Sequence, residues 1–207
     1  MKLDQLLDHI VSEPQLHAKW LNTLSLMENT GAKKISRCEH PVLVEEVILK
    51  HAAEEKRHAY YLKKQIAKVA PGACPTYEWK YLLSPVDSHQ YLHRLDIAAS
   101  RYIKETWGLK GYDLRYASYL LVTYAIEVRA EELYPIYQDV LTNAGSKVNV
   151  KSIIAEEDGH LEEMRKALGE FSEDWERHAK AILEIEAELW RKWVRALFGL
   201  LTPIESA

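Results

Sequence analysis

Residues 54–58 read Glu54-Glu55-Lys56-Arg57-His58, and residues 156–160 read Glu156-Glu157-Asp158-Gly159-His160. Each stretch spaces a Glu and a His three apart, which on a helix puts both side chains on one face, one turn apart. With 23 Glu and 9 His in 207 residues, chance alone supplies about one such pair, the false-positive risk of any short motif. The two pairs gain meaning from the helices that carry them.

The chain is long enough for one domain with a substantial core. Apolar residues make up 47% of it, with only 8 Gly and 7 Pro, a composition that favours long helices over a turn-rich β fold. No apolar run approaches the ~18 residues of a membrane span. Met1-Lys2-Leu3-Asp4 does not open a signal peptide. Cys38 and Cys74 form no framework, which suits a reduced, cytoplasmic setting. A net charge of −4 with both signs interspersed excludes the basic stripe of a nucleic-acid binder.

Helical periodicity divides the chain into seven segments. Residues 1–11 form a short amphipathic helix through Leu3, Leu6, Leu7 and Ile10. Ser12-Glu13-Pro14-Gln15 has the form of a capping box and starts a helix to about Ser36, with Glu28 inside its apolar stripe. Pro41 opens the next, to about Val69, whose inward row runs Val44, Ile48, Ala52, Glu55, Ala59, Leu62 and Ile66. A Pro- and Gly-containing loop over 70–86 leads to a helix from Val86 to about Thr106, so the connection to the next long helix is roughly 45 residues and can traverse a bundle. Asp113 serves as N-cap of a helix to Asn143, with Tyr116, Leu120, Thr123, Tyr124, Glu127, Glu131 and Tyr134 inward. Asn149 or Ser146 caps a helix ending at Gly169, with Ile153, Glu157, His160, Leu161 and Met164 inward. Gly159 within it costs about 1 kcal/mol relative to Ala and marks either a close contact or a weak spot. Ser172 caps a last helix carrying a Trp190/Trp193 stripe that packs over the bundle. The whole reads as one helical domain over 1–207, with a bundle core of about 14–168 and a C-terminal helix of about 172–200.

Four helices thus bring a carboxylate to mid-depth on an apolar face, and two add a His. Four buried carboxylates repel each other and lose solvation unless counter-charge is present. Two divalent cations balance four negative charges, and mixed carboxylate and imidazole donors suit iron or manganese. The pattern of one Glu from each of two helices and Glu-x-x-His from each of two others resembles the ferritin-like di-iron carboxylate superfamily. The resemblance covers residues 14–168 and implies an all-α, ferritin-like four-helix bundle with a long crossover and added helices. It implies Glu28, Glu55, His58, Glu127, Glu157 and His160 as ligands of two iron ions, with manganese or a mixed pair as variants. Di-iron oxygenases of the superfamily often place an acid before the Glu and an Arg before the His, as Glu54 and Arg57 stand here. By that analogy Glu54 and Glu156 hold the outer nitrogens of the ligand imidazoles. The second copy departs from the pattern, with Gly159 where Arg would stand.

Glu131, one turn after Glu127, is either a seventh carboxylate or solvent-facing. Tyr124 is either a hydrogen-bond partner of the ligands or a core aromatic, and His51 reads as an ordinary polar residue. Small residues at Gly31, Ala32, Ala52 and Ala59 leave room for oxygen or an elongated apolar substrate, or else allow close packing. The resemblance implies an oxidoreductase that uses dioxygen or peroxide on an unidentified small molecule, served by an electron donor and compatible with a homodimer. The alternative is a metal-binding or iron-handling protein without turnover. The heme-oxygenase-like bundle is a rival fold that fits two central Glu-x-x-His pairs less well.

Overall fold

The computed structural model describes residues 2–201, and seven α-helices account for most of them: α1 (Leu3–Ser12), α2 (Pro14–Cys38), α3 (Glu46–Gln65), α4 (Pro85–Tyr102), α5 (Gly111–Asn143), α6 (Lys151–Phe171) and α7 (Trp175–Leu201). Among the described residues there is no strand. A 3-10 turn at Ile66–Lys68 extends α3, and a π-helical turn at Ile103–Trp107 extends α4 to Gly108, whose φ of +72° ends the helix.

Several helix starts differ from the sequence expectation. Ser12 does not cap α2: it closes α1, its hydroxyl donating to His9 O at 2.8 Å, while Pro14 stands at the start of α2. α3 begins at Glu46 rather than at Pro41, because the His40 imidazole accepts the backbone N–H groups of Val42 and Leu43 and holds them in a turn. Val44, expected inward, is consequently exposed. Asp113 lies inside the first turn of α5, where its charge still favours the helix dipole. Neither Ser146 nor Asn149 caps α6; the Asn149 side chain accepts from the Tyr61 hydroxyl at 3.0 Å.

Side-chain pairs fix the directions of the central helices. Between α2 and α3, Ser25 donates to Ala59 O and Lys56 to Asn29. Between α3 and α6, Lys50 meets Glu163, Glu54 meets His160 and His58 meets Glu156. Between α5 and α6, Gln138 accepts from Val150 N–H, and Tyr116 rests on Phe171. Rising numbers on one helix meet falling numbers on the other each time, so each pair is antiparallel. α3 and α5 therefore run the same way, and the chain between them crosses back through α4.

The apolar interior comes in two clusters. One gathers Leu7, Trp20, Leu62, Tyr137, Ile153 and Trp193, with α1 covering its end. The other gathers Ile35, Ile48, Leu95, Leu120, Leu168 and Ile182. On α2, α3, α5 and α6 the residues between the two clusters include Glu28, Glu55, Glu127 and Glu157. α5 is buried without a break from Ala117 to Thr123, as befits a helix contacted by α1, α2, α4, α6 and α7. The tryptophans of α7 pack inward as expected: Trp193 stacks on Trp20 with centroids 5.7 Å apart.

Gly159 proves to be a weak spot and not a packing contact, since an added Cβ would meet nothing within 4 Å. Gly159→Ala should therefore stabilise the fold by about 1 kcal/mol. Leu62→Ala, at a fully buried site, should cost about 2–5 kcal/mol, whereas Leu43→Ala, at a position 71% exposed, should stay within about 0.5 kcal/mol. Urea denaturation of the three variants checks the ordering.

Candidate metal centre

Glu28, Glu55, His58, Glu127, Glu157 and His160 converge in the layer between the two apolar clusters. They fall into two groups of donors. Glu28, Glu55, His58 and Glu157 form one, and His51, Glu55, Glu127 and His160 form the other; within each, one donor atom per residue lies within 4.8 Å of the rest. Glu55 belongs to both. All these side chains are buried except Glu28, which is partly so. Each group can hold a metal ion.

The convergence follows from helical spacing. His51, Glu55 and His58 stand at i, i+4 and i+7 on α3, which is a single stripe. Glu157 and His160 stand one turn apart on α6. Because α3 and α6 are antiparallel and meet at these turns, each supplies the outer partner of the other's imidazole. His58 Nε2 donates to Glu156 at 3.0 Å, and His160 Nε2 donates to Glu54 at 2.8 Å. These bonds fix the proton on Nε2 and turn each Nδ1 toward the carboxylates. His58 Nδ1 is buried with no hydrogen bond; Glu157 Oε1 is 3.1 Å away but not in hydrogen-bonding geometry. His160 Nδ1 lies 3.3 Å from Glu157 and 3.9 Å from both Glu55 and Glu127. A buried nitrogen without a partner, facing carboxylates, is what a metal site leaves when described by its protein atoms alone.

Arg57 pairs with Glu156. Among the described residues no Lys or Arg forms the equivalent ion pair with Glu54, where the chain has Gly159. The charge of Lys50 acts there, but Glu163 holds its ammonium at 2.5 Å.

Two residues of the centre escaped the sequence reading. His51 is fully buried, its Nε2 2.9 Å from Glu127 and 3.8 Å from Glu55, with Tyr119 3.4 Å from its other nitrogen. Its place on the Glu55/His58 stripe was the available signal. Tyr134 donates its hydroxyl to Glu28. Two other candidates lie elsewhere. Glu131 is exposed and in neither group, because the α5 face turns outward one helical step after Glu127. Tyr124 packs edge-on against Trp175 of α7, so α7 takes up the ring that α5 would otherwise offer the ligands.

Metal-free, the carboxyls share protons. Burial, then the charges of Glu28 and Glu157, raises Glu55 well above its ordinary 4.5. Burial, then Glu157, does the same to Glu127. Burial also raises Glu28, although its hydrogen bond with Glu55 opposes this. Glu157 goes the other way: burial disfavours its charge, but hydrogen bonds with Glu127 and His160 outweigh that and hold it below the usual carboxylate range. Burial and the neighbouring His160 push His51 down to about 3, so it is a neutral donor near pH 7. Glu157 and Glu54 overcome burial to raise His160.

Groups raised on folding bind protons more tightly in the folded state, so their contribution is complete below the unfolded value and is lost as pH climbs through the folded one. The melting temperature of the metal-free protein should therefore fall as pH rises through the raised values of Glu28, Glu55 and Glu127. Glu157 adds the opposite slope at lower pH, and the lowered His51 adds it up to its ordinary value of 6.5. Manganese(II) should restore the loss, with a larger gain at the higher pH because binding expels those protons. A Glu55→Gln/Glu127→Gln variant should flatten both curves in a thermal-shift titration.

No protein-family model matches the chain, and no curated protein or solved structure is significantly similar to it.

Proposed function

We propose that the chain is a ferritin-like four-helix bundle holding two metal ions, iron foremost, and that it is an oxidoreductase using dioxygen or peroxide. The observation that carries this proposal is Glu55 shared between two buried Glu/His groups, with the outer nitrogens of His58 and His160 crossed onto Glu156 and Glu54. The antiparallel helix pairs and the crossover between α3 and α5 support the fold assignment.

In this proposal Glu28, His58 and Glu157 hold one ion, and His51, Glu127 and His160 hold the other, with Glu55 between them. The donor set fits: four carboxylates offset two divalent charges, and oxygen with imidazole donors suits iron, manganese or a mixed pair. Such ions, when bound, supply the electrons that reduce dioxygen or peroxide. The rest of the chemistry belongs to the protein. Glu54 and Glu156 keep the imidazole protons on the outer nitrogens, so the inner lone pairs stay available. Tyr134 orients Glu28 through its hydroxyl. The apolar clusters on both sides exclude bulk water and strengthen every electrostatic interaction in the layer between.

Elemental analysis after anaerobic reconstitution should find about two iron or manganese ions per chain, the number that balances four carboxylates. Glu55→Ala and His160→Ala should lose them, while Glu54→Gln and Glu156→Gln should weaken metal affinity about 10–100-fold. Oxygen uptake by the ferrous protein separates the two classes of function. Uptake with turnover sustains the oxidoreductase, and metal held without uptake makes the chain an iron-handling protein instead. Absence of metal in the unaltered chain would sink both.

A further inference from the structure

A cavity of about 270 Å³ lies between α2, α4 and α5 and reaches Glu55 and Glu127 of the candidate metal centre. Close-packed interiors contain few voids larger than a water molecule, and an apolar cavity of about 150 Å³ already admits benzene. This one therefore has room for more than a single ring. Of the small residues noted in the sequence, Gly31 lines it. A Cβ there would stand 3.5 Å from a Glu55 carboxylate oxygen, so the glycine keeps the inner end open.

The walls and the rim differ in chemistry. Leu92, Val122, Ile126 and Leu114 line the walls. The Ser118 hydroxyl donates to Leu114 O at 2.7 Å and pairs with Ser100 at 3.2 Å, so those polar groups are already engaged. The exposed lining residues are Arg37 and Arg115, which places the mouth beside them, with Lys34 and Asp96 adjoining. Lys34 is matched by Asp96 at 2.6 Å. Arg115 lies over the Tyr112 ring, 5.9 Å from its centroid, and neither arginine forms an ion pair among the described residues. The rim thus carries two uncompensated positive charges, and the inner end carries carboxyls.

We propose that this cavity binds a single-tailed anionic amphiphile, its charged head against Arg37 and Arg115 and its apolar tail directed toward Glu55 and Glu127. Charge and solvation set the orientation: the exposed arginines attract the head, and burial at the inner end would strip it of water. Burial of the tail supplies affinity, and Leu92, Val122 and Ile126 present the apolar surface it needs. The occupant's role as the molecule oxidised rests on the di-metal proposal; its binding does not.

The test is calorimetric titration of the full chain, metal-free and metal-loaded, with hexanoate, octanoate and decanoate, and with decanol as the uncharged comparison. Affinity should rise about fourfold for each added methylene. Decanoate should bind about tenfold tighter than decanol, and Arg37→Ala/Arg115→Ala, a change confined to exposed side chains, should erase that preference. Val122→Phe, filling the cavity, should weaken decanoate about tenfold or more; Leu114→Phe replaces it if that variant does not fold. Three results overturn the proposal: no dependence on chain length, an acid preference that survives loss of both arginines, or decanoate binding indifferent to the filling substitution. Metal counted in the same samples separates the two proposals. Decanoate bound without metal uptake defeats the di-metal centre and sustains the cavity, whereas metal uptake without decanoate binding does the reverse.

Discussion

Four carboxylates buried in one layer are the constraint on which the rest of the molecule depends. A buried charge without compensation is among the most expensive things a core can contain, and here the acids sit on four different helices. The metal-free chain meets the cost by proton sharing, Glu55 with Glu28 and Glu127 with Glu157. The consequence for the fold is a core in two parts, one cluster at each end of the long helices. Apolar packing at both ends holds the polar layer in register, and the layer requires that register to remain satisfied.

The crossed bonds between α3 and α6 are the local expression of the same constraint. A helix cannot place an acid on the outer nitrogen of its own histidine at i+4 while also aiming that acid's neighbour inward. An antiparallel partner can, because Glu54 and His58 of one helix face His160 and Glu156 of the other. Two copies of one short motif, in opposite directions, each complete the other.

Much of this was legible in the sequence. The seven helical segments follow from apolar periodicity, and the six carboxylate and imidazole positions follow from polar interruptions of apolar faces. Glu54 and Glu156 were reached only through the family resemblance, which places an acid before each ligand Glu. The starts of α2 and α3 were not legible: Ser12 and Pro41 carry the right chemistry, but the His9 carbonyl takes the Ser12 hydroxyl and the His40 ring takes the backbone N–H groups after Pro41. His51 was missed because a single histidine one turn from a Glu is common, and only contact with α5 gives it Glu127. Glu186 of α7, fully buried against Arg129 and Tyr91, was hidden for the same reason, since its partners come from α5 and α4. Features made by side chains of three helices together, the cavity above all, have no signature in any one stretch.

The absence of an arginine before His160 makes the two halves of the layer unequal. Arg57 pairs with Glu156, the acid that also accepts from His58. Glu54 forms no ion pair with a Lys or Arg among the described residues, Lys50 acting on it only from its place beside Glu163, and it accepts from His160. The two imidazoles therefore donate to differently compensated acids although their motifs match. A cation held by one group would thus meet a different electrostatic field from a cation held by the other.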